Sequence, residues 1–123
     1  MDKDILTHKV IGAAIEVHRH LGPGLLESCY EQCLIYELEK MELDAQRQVC
    51  LPVNYKELDV EGGFRIDVLI PKQLIIEIKS VNELIPVHTA QLITYMRLAN
   101  IKKGLLINFN TTQLIRGVKR LIL

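Results

Sequence analysis

Apolar residues recur at intervals of three and four in three stretches of the chain, a spacing typical of amphipathic helices. Gly22-Pro23-Gly24 separates the first two stretches, because glycine and proline interrupt helices. Asp2 and Asp4 carry carboxylates that suit the positive N-terminal end of the first helix. The predicted helices comprise residues 4–20, 25–41 and 87–100.

Alternating polar and apolar residues, together with short runs of β-branched residues, predict five strands. These strands comprise residues 49–55, 64–70, 74–79, 105–109 and 117–123. Residues 57–63, which end in Gly62-Gly63, are interpreted as a polar turn. The resulting order α-α-β-β-β-α-β-β predicts an α/β fold in which helices flank a central mixed β-sheet. A chain of 123 residues is expected to form one domain over residues 1–123.

The second and third predicted strands form a β-hairpin across the short connection Pro71-Lys72-Gln73. If Ile70 pairs with Leu74, the register places Asp67 directly opposite Glu77. Opposed side chains in an antiparallel pair have Cβ atoms about 4.5–5.5 Å apart. Two carboxylates at that separation repel each other unless a cation or a proton lies between them. The hairpin therefore presents a candidate metal site.

Alternation divides this hairpin into an apolar face and a charged face. The apolar face is predicted to carry Phe64, Ile66, Val68, Ile70, Leu74, Ile76 and Ile78. The charged face is predicted to carry Arg65, Asp67, Leu69, Ile75, Glu77 and Lys79. The two acids on this face are either solvated residues of an exposed sheet or metal ligands in a partly covered cleft. Opposed like charges on a half-apolar face favour metal binding.

The third predicted helix carries His88, Gln91 and Tyr95 three and four residues apart, so they share one face. In one interpretation His88 and Gln91 are solvated while Tyr95 lies at the edge of the core. In the other, this face approaches the charged face of the hairpin, because the helix follows the strand that ends with Lys79.

Asp67 and Glu77, with Glu27 near the start of the second helix, would supply oxygen ligands. Such ligands suit Mg²⁺ or Mn²⁺ rather than Zn²⁺. The backbone carbonyl of Ile78 is a further candidate ligand. Lys79 would lie beside the metal, where it could orient a water or stabilise charge on a phosphate. These groups are sufficient for metal-assisted attack of water on a phosphodiester.

Charge is unevenly distributed although the formal net charge is zero. Residues 1–62 hold 12 acidic and 6 basic residues, whereas residues 63–123 hold 3 and 9. A basic C-terminal half could attract a polyanion such as nucleic acid.

Cysteine content and hydropathy bear on the compartment. Cys29, Cys33 and Cys50 are odd in number, which favours a reducing compartment. Cys29 and Cys33 are interpreted as core thiols rather than zinc ligands. No apolar run is long enough to span a membrane, and the N-terminus has no signal-peptide pattern. We therefore expect a cytoplasmic protein without a membrane partner.

Several segments of the chain resemble one known family. The spacing of Asp67 from Glu77-Ile78-Lys79 resembles the active-site signature of the PD-(D/E)XK nuclease superfamily, although Ile66 stands where the signature has proline. Gln91-x-x-x-Tyr95 is similar to a helix motif in some branches of it. Gly24-Leu25-Leu26-Glu27-Ser28-Cys29-Tyr30 matches the motif that names the bacterial GxxExxY proteins. Further similar segments are Arg65-Ile66-Asp67, His88-Thr89-Ala90-Gln91, Leu105-Leu106-Ile107-Asn108-Phe109 and Lys119-Arg120.

The resemblance implies a restriction-endonuclease-like fold and a set of roles for the candidate residues. Asp67 and Glu77 would hold Mg²⁺ or Mn²⁺ with Glu27 as an additional acid, and Lys79 would act on water. Gln91 and Tyr95 would brace the site or contact the nucleic acid.

Two functions remain open at this point. The first is a Mg²⁺-dependent nuclease that hydrolyses phosphodiester bonds, with DNA as the expected substrate. The second is a catalytically silent module of the same fold that binds nucleic acid or a protein. The small size of the chain further suggests that a homodimer or a protein partner assists binding.

Overall fold

The computed structural model describes residues 4–123 and confirms the predicted order of elements. Asp4 caps the first helix by accepting a hydrogen bond from the Thr7 N–H at 3.0 Å, whereas Asp2 lies outside the described residues. The helices are α1 (Ile5–Leu21), α2 (Glu27–Lys40) and α3 (Pro86–Ala99). The strands are β1 (Gln46–Tyr55), β2 (Leu58–Ile70), β3 (Leu74–Lys79), β4 (Lys103–Asn108) and β5 (Val118–Ile122), with a short 3₁₀ helix at Leu114–Gly117.

The five strands form one mixed sheet in the order β1-β2-β3-β4-β5. Only β3 and β4 pair in parallel; the other neighbouring strands are antiparallel. A parallel pair needs a crossover connection, and α3 provides it between β3 and β4. The predicted mixed α/β fold is therefore confirmed.

Helices cover both faces of the sheet and divide the core into two clusters. On one face, α1 and α2 pack on the sheet around fully buried Tyr30, Leu34 and Phe109. On the other, Leu92 and Met96 of α3 pack against further sheet residues. Because α3 starts just beyond the end of β3, its first turns lie near the C-terminal end of that strand.

The predicted turn at residues 57–63 is wrong, because Leu58 already begins β2. Leu58 pairs with Tyr55 and Val60 with Val53, so β1 and β2 form a long hairpin arm. Residues 58–63 are exposed, and a strand without a buried face need not show apolar alternation. The pairing register shifts between Leu51 and Val53, and Gly62 has a φ of 62°. The glycines therefore mark a β-bulge, at which a residue with positive φ is often found.

The β2–β3 hairpin has the predicted register, with Ile70 opposite Leu74, but its apolar face is not continuous. Val68 and Ile70 face α1 and α2, as predicted, whereas Phe64 and Ile66 belong to the cluster under α3. Residues two apart in a regular strand share a face, so alternation reverses at Asp67. The reversal occurs opposite Gln48 of β1, which has a φ of 54°.

Within residues 4–123, no helix is both long and apolar enough to cross a bilayer.

Candidate functional site

The six side chains for which the family resemblance implies a role in the site lie around one cleft of about 440 Å³. They come from α2, β2, β3 and α3, so the cleft forms only in the folded chain. These six residues are Glu27, Asp67, Glu77, Lys79, Gln91 and Tyr95. The remaining lining residues are Cys50, Gly62, Phe64 and Arg65.

Asp67 and Glu77 lie where β2 and β3 stop pairing. The last paired residues in this direction are Val68 and Ile76. Beyond them, the Asp67 N–H donates to Glu77 Oε2 at 3.0 Å, and the Ile78 N–H donates to Asp67 Oδ2 at 2.9 Å. Each carboxylate thus accepts a hydrogen bond from the opposite strand in place of a backbone carbonyl. These bonds fix both side chains between the diverging strands.

Burial of these carboxylates disfavours their charged forms. Only 3% of Glu77 is exposed, and desolvation followed by the negative charge of Asp67 raises its pKa to about 8. Desolvation also raises the pKa of Asp67, whereas the Ile78 hydrogen bond acts in the opposite direction. Glu77 is buried and Asp67 is half-buried. Two such acids with raised pKa values in a cleft are typical of functional sites, and a nearby cation would stabilise their ionised forms.

A hydrogen-bonded chain links Lys79 to α3. The Lys79 ammonium donates to Gln91 Oε1 at 3.1 Å, and Gln91 Nε2 donates to the Tyr95 hydroxyl at 3.2 Å. Tyr95 in turn contacts Phe64, with ring centroids 5.0 Å apart. Gln91 and Tyr95 therefore approach the charged residues of the hairpin, as one of the two interpretations expected. His88 does not line the cleft; its Nδ1 accepts a hydrogen bond from the Ile85 N–H at the start of α3.

Glu27 reaches the cleft from the first turn of α2. Its Oε2 accepts a hydrogen bond from the N–H of Ser80, the residue after Lys79, at 3.1 Å. The Ser80 hydroxyl donates to the Leu25 carbonyl at 2.7 Å. These contacts tie the start of α2 to the end of β3, so Glu27 shares the cleft with Asp67 and Glu77.

Tyr30 holds the turn that precedes Glu27. Its hydroxyl donates to the Gly22 carbonyl at 2.5 Å and accepts from the Leu25 N–H at 3.1 Å. The ring is fully buried and stacks on Phe109, with centroids 4.5 Å apart. The spacing of glycine, Glu27 and Tyr30 thus has a structural basis: the tyrosine fixes the turn, and the turn positions the acid.

We expect Tyr30→Phe to destabilise the fold by about 1–2 kcal/mol, because it removes two hydrogen bonds but keeps the stacked ring. Urea denaturation followed by circular dichroism would measure the change. Tyr36→Phe is the matched control, since Tyr36 lies on the same helix but is 61% exposed. Equal stability of Tyr30→Phe and the wild type would contradict a structural role for this hydroxyl.

Sequence reasoning missed a buried acid one helical turn after Glu27. Glu31 is 3% exposed and accepts hydrogen bonds from Arg47 and Gln48 of β1. Adjacent strand residues normally point to opposite faces, but the positive φ of Gln48 lets both reach Glu31. The charge of Glu31 also contributes to the raised pKa of Asp67. Helical spacing from Glu27 was the signal that could have identified it.

The cleft residues fit a hard divalent ion that retains water ligands. Among residues 4–123, no three His, Cys, Asp or Glu side chains are grouped closely enough to hold a metal ion by themselves. Mg²⁺ is usually bound through one or two carboxylates, completed by waters and substrate phosphates. Asp67 and Glu77 supply two carboxylates, and each uses one oxygen for its hydrogen bond across the strands. Ligation by Glu27 or by the Ile78 carbonyl stays a prediction.

The mixed sheet and this cleft define a restriction-endonuclease-like protein. The family model of the PD-(D/E)XK nuclease superfamily matches residues 4–121, and the chain belongs to this superfamily. The crystal structure of SSO0001 resembles this fold with a TM-score of 0.52 at 16% sequence identity, covering 99% of this chain and 79% of that one. At this identity the likeness concerns the fold alone. Comparison with curated proteins gives no match.

Proposed function

We propose that this protein is a Mg²⁺- or Mn²⁺-dependent nuclease that hydrolyses phosphodiester bonds, with DNA as the substrate. The observation that carries the proposal is the convergence of Asp67, Glu77 and Lys79 on one cleft. Membership of a nuclease superfamily supports the same reaction class.

Each group in the cleft has a role that its position supports. Asp67 and Glu77 would hold the divalent ion between the diverging strands. When bound, that ion supplies positive charge to the phosphate and lowers the pKa of water. Lys79, oriented by Gln91, would place an ammonium group beside the phosphate and the attacking water. Tyr95 positions Gln91, and Glu27 fixes the backbone after Lys79.

The wild-type protein should cleave nucleic acid with Mg²⁺ or Mn²⁺ and not with EDTA. The assay compares single-stranded and duplex DNA, branched DNA and RNA. Absence of metal-dependent cleavage on all of them would contradict the nuclease proposal. It would favour the alternative, a binding module with the same fold.

Glu77→Gln should weaken Mn²⁺ binding by at least about tenfold, because loss of an outer partner of a metal ligand already costs that much. The amide oxygen can still accept the Asp67 N–H, so the local strand geometry is retained. Asp67→Asn should have a similar effect. Calorimetric titration measures both variants, and Glu39→Gln, an exposed change on α2, is the control. Binding as in the wild type by both cleft variants would refute the ligand assignment.

A further inference from the structure

A second polar pocket of about 280 Å³ lies at the C-terminal end of β4. It is separate from the cleft and shares none of its lining residues. Its polar lining comes from the segment after β3, the end of β4, the loop that follows β4 and the start of β5. The polar and charged lining residues are Asn82, Glu83, Asn108, Thr111, Arg116 and Lys119.

The wall of this pocket is held rigidly. Asn108 is 2% exposed; its Oδ1 accepts from the Val81 N–H at 3.1 Å, and its Nδ2 donates to the Val81 carbonyl at 2.9 Å. Gly117 packs so closely against β4 that a Cβ there would lie 2.3 Å from the Asn108 carbonyl oxygen. Only glycine fits without displacing backbone. The close packing therefore fixes the backbone that carries Arg116 and Lys119, on either side of Gly117.

The charge of the pocket is positive. Arg116 and Lys119 both line it, and within residues 4–123 neither is within ion-pair distance of a carboxylate. Glu83 is the one acidic lining residue and is exposed, so its side chain can turn toward solvent. Two unpaired cations in a polar pocket suit an anion.

Thr111 lines the pocket, but its hydroxyl oxygen is buried and has no hydrogen-bond partner among the described residues. An anion in the open pocket does not reach this oxygen, so Arg116 and Lys119 are the groups that would bind it.

The pocket and the cleft lie on the same face of the sheet. Glu77 of β3 pairs with Leu106 of β4, and Leu106 pairs with Lys119 of β5. Paired residues of neighbouring strands share a face, and strands are spaced about 4.8 Å apart, so Lys119 lies about 10 Å from Glu77 across the sheet. Phosphates recur along each nucleic-acid strand, so a strand with one phosphate in the cleft carries others that can reach Lys119.

We propose that this pocket binds a backbone phosphate of the nucleic acid, separate from the phosphate held in the cleft. Arg116 and Lys119 neutralise it. This inference rests on the proposed nuclease function, and it assigns a role to part of the basic C-terminal half. A second phosphate contact would also help so small a chain to hold its substrate.

The test measures binding in EDTA, so that it does not depend on cleavage. Fluorescence anisotropy gives the affinity of Arg116→Gln/Lys119→Gln for labelled single-stranded DNA of eight nucleotides over a range of salt. We expect roughly tenfold weaker binding and a salt dependence lower by about one to two units. Lys102→Gln/Arg120→Gln is the matched control. Arg120 faces away with its partner Leu105, and Lys102 lies before β4, at the opposite end of that strand.

Two further measurements test the pocket directly. Glu83→Gln should strengthen binding, because it removes the one acidic side chain from the lining. Inorganic phosphate should shift the amide resonances of Thr111 and Gly117 in nuclear magnetic resonance spectra of the wild type.

The outcomes separate this inference from the nuclease proposal. Weaker binding of the octamer by the pocket variant alone would support it, whether or not the wild type cleaves. Equal losses in the pocket and control variants would overturn it in favour of a general charge effect. Shifts with inorganic phosphate but unchanged octamer affinity would also overturn it, since the pocket would then serve a small free phosphate compound.

Discussion

Lys79→Met should lower metal-dependent phosphodiester cleavage by about 10²–10³-fold while leaving Mn²⁺ affinity nearly unchanged. A positioned group that stabilises transition-state charge or assists proton transfer typically contributes this much. Lys79 is not a metal ligand, and methionine preserves much of the volume of its aliphatic stem. The single-turnover rate and a calorimetric Mn²⁺ titration, both on the same preparation, separate the two effects.

Two comparisons make the Lys79 result specific. Lys9→Met removes an exposed lysine of α1 and should leave the rate unchanged. Gln91→Ala should give a smaller loss than Lys79→Met, because it removes the hydrogen-bond partner of the ammonium group but not the charge. Cleavage by Lys79→Met at the wild-type rate would refute the role assigned to this lysine. Arg65 lines the same cleft, so Arg65→Ala/Lys79→Met tests whether it partly replaces the charge.

The elements most accurately predicted are those that bury a continuous apolar surface. The residues of β3 are buried as far as Ile78, and its Leu74 pairs with Ile70 as the apolar pattern required. The helices likewise follow from their periodic apolar faces. Where burial on one face determines which residue types are tolerated, the sequence carries a readable pattern.

The incorrect predictions concern residues at which local backbone geometry interrupts the alternation of polar and apolar positions. The exposed arm that begins at Leu58 buries too little surface to leave an apolar pattern. The reversal of faces at Asp67 depends on its neighbour Gln48, whose positive φ no periodic pattern encodes. The pair Asp67 and Glu77 could be predicted from the hairpin register. Helical spacing from Glu27 could have indicated Glu31, but its burial and its hydrogen bonds to β1 become visible only in the folded chain.

The raised pKa of Glu77 makes the metal-free protein less stable as pH rises. Its pKa is about 8 in the folded chain against 4.5 in a solvated glutamate. Between these values the folded state binds more protons than the unfolded state, so the free energy of unfolding falls as pH increases. The contribution is fully present below about pH 4.5 and lost above about pH 8. At about 1.4 kcal/mol per unit, it amounts to about 3–5 kcal/mol.

Glu77→Gln isolates this contribution, because the amide cannot ionise and keeps the hydrogen-bond acceptor for the Asp67 N–H. Urea denaturation in EDTA at pH 5, 6, 7 and 8 should show the wild type losing stability relative to this variant with each step. Glu39→Gln, which changes an exposed acid of α2, should follow the wild type at every pH. Adding Mg²⁺ at pH 8 should restore stability to the wild type and to Glu39→Gln but not to Glu77→Gln, because binding to the folded state stabilises it. A constant difference between the wild type and Glu77→Gln across this range would show that Glu77 ionises as freely in the fold as in water. The cleft would then lack the buried, mutually repelling carboxylates on which divalent binding depends.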